Sequence, residues 1–214
     1  KLKEMLKNSE FKFYAAMTAS FSLFIMLELI FRCNYEVEHA FRSSAFQVVS
    51  FITTTGLFSD DAAKWPHVTW VVLAACMFFG GSSGSTSGGI KSIRGVMLVK
   101  VIKNEFRQIL HPNAVLPMKV DGYNVQMCKR VTLLAFIGLY LFLAVICAFT
   151  MIAAGIDSTN SMTITLSSLG NVGPTLGLEI GPTMSWNELP DFAKWISSFL
   201  MLVGRLELFS VLVL

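Results

Sequence analysis

The chain has 214 residues, 54% of them hydrophobic and only 14% charged, with a formal net charge of +3 and a mean hydropathy of +0.61. Soluble domains carry about 25% charged residues, so this composition excludes a soluble globular protein. The small basic excess calls for no nucleic-acid partner, because its placement along the chain follows membrane topology.

The first predicted element is a helix over residues 13–31. Residues 13–27 carry no charge, and the run becomes long enough to cross a bilayer if Glu28 sits at the interface, since a crossing takes about 20 apolar residues. Residues 37–56 are too long and too apolar for a simple loop. They start polar, read as a short helix over 39–52, and end in Phe51-Ile52-Thr53-Thr54-Thr55-Gly56. A second crossing helix begins near Pro66, within an uncharged stretch at 68–90, and runs into Gly80-Gly81-Ser82-Ser83-Gly84-Ser85-Thr86-Ser87-Gly88-Gly89. A third helix is expected over 131–154, inside a run free of charge to residue 156. Residues 159–173 then repeat the earlier pattern, with a short helix at 161–169 that ends in Ser168-Leu169-Gly170-Asn171-Val172-Gly173-Pro174. A fourth helix covers 192–214. The sequence opens on Lys1 and stops inside an apolar run, which reads as an excerpt of a longer chain without a signal peptide.

The basic residues set the orientation. Four of the 17 lie in 1–12 and eight in 91–130, whereas 32–64 and 157–194 together hold four against eight carboxylates. Lys/Arg-rich stretches stay in the cytoplasm, so the first and third helices run outward and the second and fourth inward. The two short helices then lie on the outer side or dip into the membrane. A short helix followed by a glycine turn is what a re-entrant pore loop requires, and irregular backbone survives at membrane depth only beside protein or a water-filled cavity. The competing reading is an extracellular amphipathic helix.

These elements form a repeat. Phe13 and Val131 open the two outward helices, and Gly56 and Gly173 close the two short segments at nearly the same separation. Lys64-Trp65 recurs as Lys194-Trp195 at a longer one, which places an insertion at 175–190. The predicted fold is therefore an all-α membrane protein of two helix–pore-loop–helix repeats. The first spans 1–110 with a broken second helix, a cytoplasmic connector spans 111–130, and the second repeat spans 131–214. Repeated membrane units commonly place their site between them.

The glycine turns carry the chemistry. A dehydrated cation needs a ring of oxygens, and backbone carbonyls supply one without charge. Glycine allows the required backbone conformations, and the carbonyl end of the preceding helix carries partial negative charge. The candidate ion-binding residues are Thr53, Thr54, Thr55 and Gly56 with Asn171, Val172 and Gly173. The Gly/Ser stretch, with Gly80, Gly81, Gly84, Gly88 and Gly89, breaks its helix at membrane depth. It is no phosphate loop, since Ile90 separates Gly89 from Lys91 and no strand precedes it. Arg205 and Glu207 are the only deep ionisable residues, too few for an enzyme's acid–base or nucleophilic constellation. Intramembrane charges usually face a pathway, although a snorkelling Arg205 is the alternative. Cys33, Cys76, Cys128 and Cys147 show no paired spacing, and His39, His67 and His111 are scattered, so neither a disulfide framework nor a metal site other than the ion pathway is expected.

With TTTG at 53–56, GGSSGSTSGGIKSIR at 80–94, GNVGPTLG at 170–177 and GRLELF at 204–209, the chain resembles the Trk/Ktr/HKT superfamily of cation transporters, and within it the bacterial TrkH/TrkG potassium uptake subunits. The resemblance implies four such units around a pseudo-fourfold pore, of which these are the third and fourth. It implies that the two turns line half of a potassium selectivity filter, that 80–89 is an intramembrane loop gating the pore beneath it, and that Arg205 faces the pore and opposes cations with that loop. It further implies a multi-pass protein of the bacterial inner membrane, a homodimer in the lipid bilayer, and a cytosolic TrkA-type ring that binds the regulatory nucleotide, while this chain binds no cofactor beyond the transported K+. Channel-like flow and symport with protons or sodium both stay open, as do a sodium-permeable or poorly selective relative and a non-conducting assembly subunit.

Overall fold

The computed structural model describes residues 8–111, 117–176 and 186–206. Its first helix, α1 (Ser9–Cys33), starts where the Asn8 side chain accepts from the N–H groups of Glu10 and Phe11, and it ends where Asn34 turns left-handed. The short helix α2 (Val37–Ile52) follows, then a one-turn 3₁₀ segment (Ala62–Lys64) and α3 (His67–Phe78), whose start is set by Pro66. The Gly/Ser stretch separates α3 from α4 (Ser92–Leu110). The expected helix break at 80–89 is therefore present.

Two strands, β1 (Lys119–Val120) and β2 (Tyr123–Asn124), pair antiparallel with Val120 opposite Tyr123, so Asp121-Gly122 forms a two-residue turn. Both turn residues have positive φ, 48° and 88°, which is the requirement of a tight hairpin. The chain then rises through α5 (Met127–Ala153) and returns through α6 (Ser158–Gly170), a 3₁₀ turn (Trp186–Glu188) and α7 (Asp191–Arg205). Asp157 starts α6 by accepting from the N–H of Thr159 at 2.9 Å, the usual service of an N-cap carboxylate. Glu207, the rest of the GRLELF motif, the end of the fourth predicted helix and most of the 175–190 insertion lie outside the described residues.

The order long helix, short helix, turn, third helix thus occurs twice. Apart from α3, which begins at His67 directly after the expected Pro66, each described helix with a predicted counterpart begins one to four residues before its predicted start, because polar and charged residues at the interface extend it beyond the apolar run. Helices α1 and α5 are long and apolar enough to cross a membrane. Only 17% and 22% of their most apolar stretches are buried, whereas a helix at the centre of a soluble protein would be mostly enclosed. Phe31, Phe142, Val145 and Phe149 stand exposed along them, an outward apolar face that suits lipid.

The two halves share their interior. Val172 and Leu176 pack into the cluster built on Ile25, Leu29, Phe51, Ile52 and Met77, while Ile90 joins Leu133, Tyr140, Leu169 and Leu200. Each half therefore lends apolar side chains to the other where the glycine turns meet.

Candidate functional site

Helix α2 delivers the chain to the first turn. Thr53 is still right-handed, with φ −78°, but Thr54 has φ 54° and Gly56 has φ 72°. Helix α6 delivers the second turn in the same way, with Asn171 at φ 54° and Gly173 at φ 104°. Alternating the sign of φ turns successive peptide units to one side of the chain, where a strand would send them to opposite sides. The hydrogen bonds correspond as well. Thr55 N–H donates to the Ser50 carbonyl at 2.9 Å, and Val172 N–H donates to the Ser167 carbonyl at 3.0 Å.

The side-chain braces differ. In the first turn the Thr53 hydroxyl donates to the Val49 carbonyl at 2.7 Å and lies 2.8 Å from the Thr55 hydroxyl. The Ser50 hydroxyl donates to the Leu57 carbonyl at 2.7 Å. In the second, the Ser167 hydroxyl accepts from Gly173 N–H at 3.1 Å. The two turns touch, since a Cβ on Gly56 would collide with the Val172 carbonyl oxygen and with Pro174.

The Gly/Ser loop closes below them. Its neck is a backbone knot: Gly80 N–H donates to the Ile90 carbonyl at 2.9 Å, Ile90 N–H to the Phe78 carbonyl at 3.0 Å, and Ser92 N–H to the Gly81 carbonyl at 3.0 Å. Gly88 sits at the junction of both turns. Its N–H reaches the Thr54 hydroxyl at 3.4 Å, and a Cβ there would strike the Gly170 carbonyl. Gly80 has no room for a side chain against the Gly88 carbonyl, nor Gly81 beside the Ser85 and Ser87 hydroxyls. Gly89 is left-handed, with φ 69°. Gly84 is different: it is exposed at the loop tip with open space around it.

Two cations hold the loop's carbonyls. Lys91 Nζ donates to the carbonyls of Ser85 and Ser87 at 2.6 and 2.8 Å, and Arg205 Nη1 donates to the carbonyl of Thr86. Arg94 lies over the Phe136 ring at 3.9 Å, a cation–π contact. Arg205 thus meets the loop, 119 residues earlier in the chain, and a bare snorkelling role would not require that contact. Cavities flank the loop. One of about 520 Å³ is lined by Glu10, Tyr14, Thr53, Ser83 and Ser87, and another of about 230 Å³ by Thr86, Lys91, Arg94, Tyr140 and Arg205.

All the candidate residues among 53–56, 80–89 and 171–173, with Arg205, therefore meet in one region, Gly84 alone standing at its edge. Sequence reasoning missed Lys91, Gly170, Gly204 and Glu10. A Cβ on Gly170 would press on the Met77 carbonyl, and one on Gly204 on the Leu169 carbonyl. Those small residues sat in view within the GNVG and GRLE motifs. Glu10 accepts from Ser83, and nothing near it in the sequence signals that contact.

The TrkH family model, described as a cation transport protein, matches residues 11–214. The chain is 31% identical over its whole length to the Trk system potassium uptake protein TrkH of Halomonas elongata, covering 44% of that protein. It is 34% identical to the Escherichia coli K12 protein of the same name, again covering 44% of it. The Halomonas elongata Trk system potassium uptake protein TrkI is 38% identical over 79% of this chain and 34% of its own length. The crystal structure of the potassium transporter TrkH from Vibrio parahaemolyticus superposes with a TM-score of 0.91 at 32% identity, over 99% of this chain and 45% of that one. The chain thus spans less than half the length of these relatives.

Proposed function

The chain belongs to the TrkH family of cation transport proteins, and from that premise we propose that it supplies two of four units around a pore for potassium uptake across the bacterial inner membrane. Thr53, Thr54, Thr55, Gly56, Asn171, Val172 and Gly173 present the backbone oxygens that replace a potassium ion's hydration shell. The loop carrying Gly80, Gly81, Gly84, Gly88 and Gly89 is the gate, and Arg205 holds it and opposes cations beneath the filter.

The observation that carries this reading is the pairing of the two turns. Both reverse φ at equivalent residues, they touch at Gly56 and Val172, and the loop's Gly88 lies against both. Helix carbonyl ends converge on the same place, and they favour positive charge there. Carbonyl coordination is the chemistry such a site can perform on a cation. The loop's irregular backbone borders cavities and protein, as membrane depth demands.

The complete protein is then a multi-pass homodimer in the lipid bilayer. The connector and its hairpin face a cytosolic TrkA-type ring, which binds the regulatory nucleotide. The chain itself takes no cofactor besides the transported ion.

The test is potassium-dependent growth of an uptake-deficient bacterium that carries the complete four-unit polypeptide, beside Gly56→Ser, Gly173→Ser and Arg205→Ala versions at equal membrane levels. Loss of growth or new sodium sensitivity in the glycine variants, with altered flux in Arg205→Ala, is the expected result. Growth indifferent to both glycine changes would remove the filter assignment and leave a likeness of fold.

A further inference from the structure

We propose that the first turn of α1 is a latch that holds the gate loop closed and reports the position of the cytoplasmic hairpin to it. This rests on the reading of residues 80–89 as the gate. Glu10 is 9% exposed although it carries a carboxylate. Its Oε1 accepts from the Ser83 backbone N–H at 2.5 Å and its Oε2 from the Ser83 hydroxyl at 3.0 Å, across 73 residues of sequence. Ser82, Ser83 and Gly84 are exposed, and among the described residues Glu10 ties the loop tip to a helix. Lys91 and Arg205 hold the later part through the carbonyls of Ser85, Thr86 and Ser87.

One residue earlier, the same turn is tied to the hairpin. The Asp121 carboxylate accepts from the Ser9 N–H at 3.0 Å and from the Ser9 hydroxyl at 2.5 Å. Asp121 lies in the two-residue turn between β1 and β2, with φ 48°. A displacement of the hairpin therefore acts on Ser9, and Ser9 is covalently joined to the residue that grips the loop. The tip has somewhere to go, because the cavity of about 520 Å³ lies beside Glu10 and Ser83. Carboxylate bonds to N–H groups are strong, so one side chain separates a held loop tip from a released one. Spatial continuity alone does not establish coupling, which makes a mutant cycle the deciding measurement.

The experiment is potassium flux through the complete polypeptide in liposomes, with open fraction and the potassium-to-sodium ratio both recorded. Glu10→Ala is expected to raise the open fraction about fivefold or more, with the ion ratio unchanged. Glu10→Gln, which keeps an oxygen for the Ser83 N–H, falls between. Asp121→Ala acts in the same direction and more weakly, and adding it to Glu10→Ala produces no further change. An open fraction that stays level or drops in Glu10→Ala, at normal membrane yield, overturns the latch. Additive effects of the two changes overturn its link to the hairpin. If Glu10→Ala does not reach the membrane, Glu10→Met, which fills the same space without an acceptor for either Ser83 group, decides in the same way, a raised open fraction supporting the latch and an unchanged one overturning it. Deletion of residues 82–87 separates the two levels of the claim. Flux that ignores the deletion removes the gate and the latch together, whereas raised flux there beside an inert Glu10→Ala removes the latch alone.

Discussion

The turn at 53–56 and the turn at 170–173 follow one backbone path, yet they are open at opposite ends: Thr53 lies beside a cavity and Gly56 abuts the second turn, whereas Gly170 is walled in by other backbone and Gly173 faces open space. Thr53 and Thr55 are exposed and brace each other through hydroxyls. Leu169 and Gly170 are buried, and the carbonyls of Met77 and Leu169 press close to Gly170 and Gly204. The left-handed residue is a β-branched Thr in one turn and an Asn in the other. Asn adopts that conformation readily, but for a β-branched residue it is a marked outlier. The same carbonyl geometry is thus reached by two means, one by side-chain bracing of a strained residue and one by enclosure of a permissive one. A pore built from such units need not be symmetric in how it tolerates change.

The largest test of that contrast is alanine at the two turn glycines. Gly56→Ala meets both a left-handed φ and the Val172 carbonyl, about 2–4 kcal/mol in all. Gly173→Ala meets open space and only the φ cost, about 1–2 kcal/mol. Potassium uptake rates at equal membrane levels should therefore fall further for Gly56→Ala, and the reverse order would break the comparison. Next in size is Gly204→Ala, which drives a methyl into the Leu169 carbonyl beside Asn171. Overpacking of this kind costs about 1–3 kcal/mol. It should lower the thermal midpoint in detergent and disturb the second turn, while Thr53→Ala, which lies beside a cavity and loses only its hydroxyl bonds, lowers that midpoint less.

Smaller effects come from the serines. Ser50→Ala and Ser167→Ala each remove one hydrogen bond, about 1 kcal/mol, but from different partners, the Leu57 carbonyl and the Gly173 N–H. The Ser167 change should shift the ion ratio more, because it frees the turn glycine itself. Equal shifts in flux assays would show that the braces are interchangeable. The smallest expected effect lies away from both turns, at Asp121. Its carboxyl is held below the ordinary 3.8 by the hydroxyl and N–H of Ser9. A lowered folded value means the contact is fully present above the unfolded value and lost only as pH falls through the lower one. The protection factor of the Ser9 amide, its exchange rate relative to the base-catalysed rate of a free amide at the same pH, should accordingly stay flat from pH 7 to pH 5.

Much of this architecture was readable in the sequence, because apolar runs, their breaks and the glycine clusters report on backbone and bilayer directly. The short helices, the break at 80–89 and the convergence on Gly56 and Gly173 all follow from such local signals. The left-handed Thr54 does not, since nothing in a Thr-Thr-Thr run marks its middle residue for that conformation. The hairpin at Lys119–Asn124 did carry its signal, an Asp-Gly pair between Val120 and Tyr123, but its strands are too short to show alternation. Glu10 was hidden for a different reason. Its partner lies 73 residues away, and in sequence it is one more charge in a basic stretch.

The close backbone contacts around the second turn have a direction in time. Gly170 rests on Met77, Gly88 faces Gly170, and Gly204 rests on Leu169, so the later half of each fit is shaped against a half already made. A chain synthesised from its N-terminus folds its earlier unit first. The second turn is then cast against a finished mould, and an error in α3 or the loop would be inherited by residues the ribosome has not yet joined.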